Sequence, residues 1–263
     1  MFKYNTLNIR QIAEMLGINI QTLRRWDKSG KLKAEHRPAG GPRFYYEDVL
    51  TDFLMENSKY CQKLAEHWSV AKTPGQLPEA FYCPNRSTFQ TRLSHLELML
   101  KESPLFNQIY SLITAIAGEI GNNSFDHNLG NWPDVMGIFF GYSISQKMII
   151  LADRGQGILT TLKRLRPELN NHADALKVAF TEIISGRAPE SRGNGLKFVR
   201  QIVQENNFSL FFQTGDAMLF LNKSSTFLRG IKPRRKVLDK KSVTLPIKTG
   251  EHFLPGCFAK LNF

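Results

Sequence analysis

Ile116-Ala117-Gly118-Glu119-Ile120-Gly121-Asn122-Asn123-Ser124-Phe125-Asp126-His127 is the stretch on which the fold turns. Upstream of it and within it, Leu105, Ile109, Leu112, Ile113, Ile116 and Ile120 recur at three- and four-residue steps, which predicts a helix with one apolar face. Glu119, Asn123 and His127 then share another face, because four residues advance about 400° around a helix axis and leave each group nearly above the last. A carboxylate and an amide stacked in this way suit a general base beside a Mg²⁺ ligand. A solvated polar face is the plainer reading of the same three residues.

Two further signals follow in order. Met148-Ile149-Ile150-Leu151-Ala152 is a short apolar run rich in strand formers, ended by Asp153 just before Gly155 and Gly157. A carboxylate at a strand end can accept from an exocyclic amine such as that of adenine, and glycines let the backbone approach a flat ring that a Cβ would strike. A plain strand-to-helix turn accounts for the same residues. Further on, Gly193-Asn194-Gly195 opens a helix whose Leu196, Val199, Ile202 and Val203 have helical spacing. Backbone N–H groups at a glycine-rich helix start form an anion site, aided by the helix dipole, and Arg192 and Lys197 add positive charge there. The spacing is not that of a P-loop, and no βαβ dinucleotide unit precedes it.

Taken in this order, residues 89–263 resemble the Bergerat-fold ATPases, the GHKL group of gyrase-type topoisomerases, heat-shock chaperones, MutL-type repair proteins, sensor histidine kinases and anti-sigma serine kinases. The resemblance implies ATP and Mg²⁺ as cofactors. It makes Glu119 the base that activates water or a serine hydroxyl, Asn123 the Mg²⁺ ligand and Asp153 the adenine-reading carboxylate. Gly155 and Gly157 become ring-side glycines and Gly193 and Gly195 the phosphate loop, with His127, Arg192, Leu196 and Lys197 completing the nucleotide-binding set. The segment between Gly157 and Gly193 would be a lid, hinged at Ser185-Gly186-Arg187. Glu119-x-x-x-Asn123-x-x-x-His127 is similar to the anti-sigma kinases, while Glu119-x-x-x-Asn123-x-x-Asp126 also fits the chaperone and topoisomerase pattern. The histidine-kinase branch usually lacks the base glutamate and needs a phosphoacceptor on a separate hairpin, so His95 reads as an ordinary helix-surface residue.

A second unit stands at the amino terminus. Ile9, Ile12, Ala13 and Leu16 form an apolar stripe ending at Gly17, and Asn19 is placed to cap a following helix from Ile20 to Asp27. That helix buries Ile20, Leu23 and Trp26 and turns Gln21, Thr22, Arg24 and Arg25 outward, types that reach base edges and phosphates. Lys31 to Ala34 and Arg43 to Tyr45 predict a two-stranded wing around Pro38-Ala39-Gly40-Gly41-Pro42, followed by a helix from Glu47 to about Leu54. Leu23-Arg24-Arg25-Trp26-Asp27, Gly30-Lys31-Leu32 and Gly40-Gly41-Pro42-Arg43-Phe44-Tyr45 resemble the MerR/excisionase winged helix-turn-helix. The resemblance implies double-stranded DNA as partner, contacted by Gln21, Thr22, Arg24 and Arg25 and by Arg37, Arg43 and Tyr45 of the wing, from a homodimer that matches two half-sites.

Composition bounds the rest. A length of 263 residues with 42% hydrophobic content suits two ordinary cores. No run approaches the ~20 apolar residues of a membrane span, and Met-Phe-Lys-Tyr-Asn lacks a signal-peptide core, so a cytoplasmic location of bacterial type, at the nucleoid when DNA-bound, is expected. Cys61, Cys83 and Cys257 are odd in number and widely spaced, which argues against a disulfide framework or a zinc site. The net charge of +12 is concentrated in residues 223–248, where nine basic side chains face one acidic (9 − 1 = +8), a pattern of a solvated loop or a phosphate-contacting arm.

The expected fold is α+β: a winged helix-turn-helix over 1–56, a linker over 57–88 and a Bergerat-type sandwich over 89–263, with a mixed sheet under one helix layer. Within the linker Lys59 to Trp68 can be helical, and Phe89, Leu93, Leu96 and Leu100 open the second unit as an amphipathic helix; Val135 to Ser143, Lys147 to Ala152, Phe208 to Gln213, Ala217 to Leu221 and Cys257 to Phe263 read as strands, with helices near 157–166, 172–185 and 194–206. The leading functional expectation is a DNA-binding regulator whose Mg·ATP state alters DNA binding. Alternatives are an anti-sigma-like serine kinase acting on a protein partner, or an ATP-driven DNA-processing protein of the topoisomerase or repair type, in which residues 223–248 would have to supply a lysine to the γ-phosphate.

Overall fold

The apolar run Met148–Ala152 lacks the polar-apolar alternation of a half-exposed strand, and it lies in the middle of a sheet covered on both sides. The computed structural model describes residues 5–36, 38, 40–182, 195–223 and 245–263. Arg37, Arg192, Gly193, the hinge Ser185-Gly186-Arg187 and most of the basic segment 223–248 lie outside the described residues.

The amino-terminal unit comprises β1 (Thr6–Asn8), α1 (Ile9–Met15), α2 (Ile20–Ser29), β2 (Glu35–His36), β3 (Arg43–Tyr46) and α3 (Glu47–Glu56). Asn8 and Gln11 form a capping box at α1, with Gln11 N donating to Asn8 Oδ1 at 3.0 Å and Asn8 N to Gln11 Oε1 at 2.8 Å. Asn19 caps α2 by accepting from Gln21 N at 2.8 Å, and Gly30 closes the helix at φ 76°, a left-handed position that favours glycine. The strands are antiparallel in the order β1-β3-β2, with β1 too short to announce itself by periodicity. The first wing strand starts at Glu35 rather than at Lys31. Leu32 is buried in the core and the Ala34 N–H is held by Asp27 at 3.0 Å, so pairing begins only beyond them.

The rest of the chain adds α4 (Ser58–Val70), a short 3₁₀ turn (Glu79–Phe81), β4 (Tyr82–Cys83), α5 (Arg86–Glu102), α6 (Tyr110–Asn128), β5 (Ile138–Ser143), β6 (Met148–Asp153), α7 (Gly157–Lys163), α8 (His172–Thr181), α9 (Gly195–Glu205), β7 (Ser209–Asn222) and β8 (Ile247–Asn262). The α+β architecture stands, but the expected mixed sheet is antiparallel at every pairing, in the order β4-β5-β6-β8-β7. The helix of the first signal starts at Tyr110, and Leu105 is 74% exposed outside it, its place in the core taken by Phe106. Inside α6, Gly121 lets the helix meet α5: a Cβ there would stand 2.2 Å from the Phe89 ring.

β7 reverses on itself. Phe211 and Phe220 are nine residues apart, which in extended chain is about 30 Å, yet their ring centroids lie 4.9 Å apart. The turn is at Gly215, at φ 57°, so the two short strands expected at Phe208–Gln213 and Ala217–Leu221 are the two arms of this element. The reversal also flips the buried side from even to odd positions, keeping Leu210, Phe212, Ala217, Leu219 and Leu221 in one core.

That core lies between the sheet and α5–α9 and contains Ile149 and Leu151 of β6. Ile150 and Ala152 point the other way, into a second core built from α1–α4 and Phe139, Leu254 and Phe258 of the sheet. The segment 57–88, read as a linker, thus carries α4, whose buried Cys61, Leu64, Ala65 and Trp68 cover the second face. The sheet carries helices on both faces instead of the single layer expected, and the winged unit is part of the second one.

Candidate functional site

The outward face of α2 follows from its burial pattern. Leu23 and Trp26 are buried, while Gln21, Arg24 and Arg25 are exposed and Thr22 is half-buried, accepting from Arg25 Nη2 at 3.3 Å. Asp27, at the end of the same helix, fastens the wing: it accepts from Arg43 Nε at 2.6 Å and from the Ala34 N–H, with His36 Nε2 at 3.3 Å. Burial pushes the Asp27 carboxyl up, but the Ala34 N–H, Arg43 and His36 outweigh it and hold the group below the usual carboxylate range. Arg43 is thereby committed to bracing the wing rather than extending freely from it. Tyr45 is corrected outright as a DNA contact: it is 1% exposed, pairs with Leu7 of β1 and packs in the core, because strand alternation turns it inward. The Leu23-Arg24-Arg25-Trp26-Asp27 motif contains Asp27 but gives no sign that its carboxylate turns to the wing.

The second set of residues is assembled around α6. Glu119 and Asn123 are half-buried, and α9 begins against them. A Cβ on Gly195 would stand 2.3 Å from a Glu119 carboxylate oxygen and 3.6 Å from Asn123 Nδ2, so a larger residue there would have to displace the Glu119 carboxylate. One residue after Asn123, Ser124 Oγ donates to Asp153 Oδ2 at 2.7 Å, tying α6 to the end of β6. Asp153 Oδ1 accepts from the N–H groups of Gly155 at 2.8 Å and Cys257 at 3.2 Å. Asp153 is 1% exposed; burial raises its pKa, and the pull of Ser124, Gly155 and Cys257 in the other direction does not cancel this.

The two glycines after Asp153 are required by the protein's own contacts. A Cβ on Gly155 would lie 2.1 Å from the Asn128 side chain, and one on Gly157, at φ 72°, would lie 2.7 Å from the Pro255 carbonyl and 3.1 Å from Thr214 Oγ1. Asn128 clasps this loop, accepting from Gln156 N at 2.8 Å while donating to Ser124 O at 2.8 Å. Gly256 is needed as well, since a Cβ there would meet the Asp153 carbonyl at 2.2 Å. Ser124, Asn128, Thr214, Gly256 and Cys257 were not anticipated. Ser124 and Asn128 lie one turn apart beside the first motif, and that spacing was the available signal.

Other expected members are placed less centrally. His127 is exposed, and its carbonyl, not its ring, accepts from Gln156 Nε2 at 3.3 Å. Asp126 is paired with Arg86 on α5. Leu196 packs against the core under the helix layer, so it could serve a ligand only through its backbone. Lys197 is half-buried, and burial together with the neighbouring Arg200 charge lowers its pKa. Arg200 Nε and one Nη are sealed from solvent with no acceptor among the described residues. Among the described residues no group of three or more His, Cys, Asp or Glu is gathered to hold a metal, and no helix is long and apolar enough to cross a membrane. Cys61 and Cys83 are buried free thiols, with burial pushing Cys61 up to about 12.

Comparison with known proteins bears first on the amino-terminal unit. Residues 8–45 match the MerR family regulatory protein family, and this region is a winged helix-turn-helix DNA-binding domain of MerR type. The chain is also 20% identical over 217 residues to the Type II methyltransferase M.Eco47II of Escherichia coli, an alignment covering 78% of this chain and 50% of that protein. The chain therefore spans about half the length of the curated relative it matches. No solved structure gives a significant match.

Proposed function

We propose that the chain is a DNA-binding regulator in which the second unit binds Mg·ATP between α6, the Asp153 loop and the start of α9, and that the nucleotide state sets the affinity of the winged unit for DNA. The observation that supports the nucleotide site most is convergence. Glu119 and Asn123, Asp153, and Gly195 are separated by dozens of residues in sequence, and Ser124 and the bare Cα of Gly195 bring all three into one contiguous patch.

The donor set fits the group. Asn123 offers one amide oxygen, in keeping with Mg²⁺, which takes few protein ligands and completes its octahedron with water and phosphate oxygens. Lys197, with Arg200 behind it and the N–H groups at the start of α9, would hold phosphate. Glu119 would take a proton from an attacking hydroxyl or water. Asp153 would accept from an adenine amine after one of its three present donors yields, and its burial excludes water from that contact. Gly155 and Gly157 shape the loop that presents Asp153 instead of stacking on the base. Bound Mg²⁺ would neutralise charge on the phosphates.

The test is ATP binding and turnover by purified protein with Mg²⁺. The native chain and Glu119→Gln are expected to bind ATP alike, with turnover lost only in Glu119→Gln, while Asp153→Asn binds at least tenfold more weakly. Absence of binding by the native chain would sink the nucleotide reading and leave a DNA-binding protein with an interaction domain.

A further inference from the structure

We propose that Arg154 is the positioning residue that couples the candidate nucleotide site to the DNA reader, by latching the Asp153 loop onto the carboxy-terminal end of α4. This rests on the nucleotide reading above and names the route by which that site would act.

Asp153 and Arg154 are consecutive and face opposite sides of the sheet. Asp153 points to α6, held by Ser124, Gly155 and Cys257. Arg154 crosses to the other side, where it is 7% exposed. Its guanidinium donates to the carbonyl of Trp68, to that of Ala71 at 2.7 Å, and through Nε to Asp134 Oδ2 at 2.8 Å. Trp68 and Ala71 are at the end of α4, where helix carbonyls lack intrahelical partners and the dipole favours a cation. The guanidinium also lies 5.8 Å from the centre of the Trp68 ring. Asp134 completes the latch; burial raises its pKa, and the Arg154 hydrogen bond and charge outweigh that and hold it low.

α4 is continuous in packing with the reader. It follows α3 after Asn57, and Cys61, Leu64, Ala65 and Trp68 share one core with Ile12, Leu16, Leu23, Trp26 and Leu50 of the winged unit. Tyr60 of α4 packs edge-on to Trp26 of the recognition helix at 4.7 Å. A ligand that displaces a donor from Asp153 moves the next peptide, and with it the guanidinium that caps α4. Close-packed interiors pass such a shift on as a repacking step instead of absorbing it.

Two variants test the latch, with ATP binding and DNA binding measured separately on the full chain. Arg154→Gln loses the latch, and Asp134→Asn keeps the Arg154 bonds to the α4 carbonyls while removing the ion pair. In the native protein Mg·ATP is expected to shift DNA affinity at least fivefold. Arg154→Gln is expected to bind ATP within about twofold of native and DNA alone near native affinity, with the ATP-dependent shift reduced to less than twofold. Asp134→Asn should fall between. An intact shift in Arg154→Gln overturns the latch and leaves the nucleotide reading standing. Loss of ATP binding in Arg154→Gln also overturns it, by making the residue part of the loop's fold. A native chain that binds no ATP removes both readings together.

Discussion

At the scale of single residues, close approaches and charge pairs decide what each position tolerates. Gly121→Ala would drive a methyl group into Phe89, and overpacking of this kind costs about 1–3 kcal/mol, to be read as a lower denaturation midpoint. Gly195→Ala would push the Glu119 carboxylate aside, so turnover is expected to fall by tenfold or more while the fold persists; unchanged turnover would show that the Glu119 contact is incidental. Asp27→Asn removes a carboxylate held by Arg43 and His36, at a cost of about 1–3 kcal/mol at neutral pH. The sign of its pH dependence is set by the lowered pKa of Asp27. Its stabilising contribution is present above the unfolded value of 3.8 and is lost as pH falls through the lower folded value, so native and Asp27→Asn denaturation midpoints should begin to draw together only as pH falls below 3.8. Each arginine of α2 that reaches a phosphate should contribute a unit to the salt slope of DNA binding, so removing Arg24 and Arg25 lowers that slope by about two.

Among the elements, the sequence was readable where a period was long and capped. Helices α1, α2, α5, α6 and α9 follow from their apolar spacing, and Asn19 and Gly30 mark the limits of α2. The three motifs were visible as separate signals, but Ser124, which joins two of them, has no motif of its own. The second face of the sheet was also written in the chain, since all six residues of β6 are buried and Met148–Ala152 shows no alternation. The strand does not say which element covers its second face, and the helical pattern of α4 lies within the segment 57–88, whose Thr73-Pro74-Gly75 break reads as a linker. Tyr45 was misassigned for the related reason that a wing strand of four residues gives too little alternation to fix which side faces in. If α4 is structural, Trp68→Ala should cost about 3–5 kcal/mol and lower the thermal midpoint of the whole chain; loss confined to the winged unit would show that α4 belongs to it alone.

On the scale of the whole molecule, the winged unit and the sheet share a continuous core from Ile12 through Trp68 to Phe258. Residues 56–58 are fastened to the β5–β6 turn by Gln146, which accepts from Ser58 N at 2.9 Å and donates to the Glu56 carbonyl. Glu47 of α3 likewise accepts from Glu79 N and from Asn5 Nδ2 at 2.9 Å. Units packed in this way have little freedom to move independently, which is the physical basis of the proposed coupling between the Asp153 loop and α2. The central claim is that this packing links nucleotide to DNA. DNA affinity should therefore be titrated at one fixed salt concentration, with and without Mg·ATP, for the native chain and Asp153→Asn. Coupling of about 1–3 kcal/mol, at least a fivefold shift, is expected in the native chain and none in the variant. Equal DNA affinity with and without nucleotide, in a native chain shown to bind it, would contradict the account.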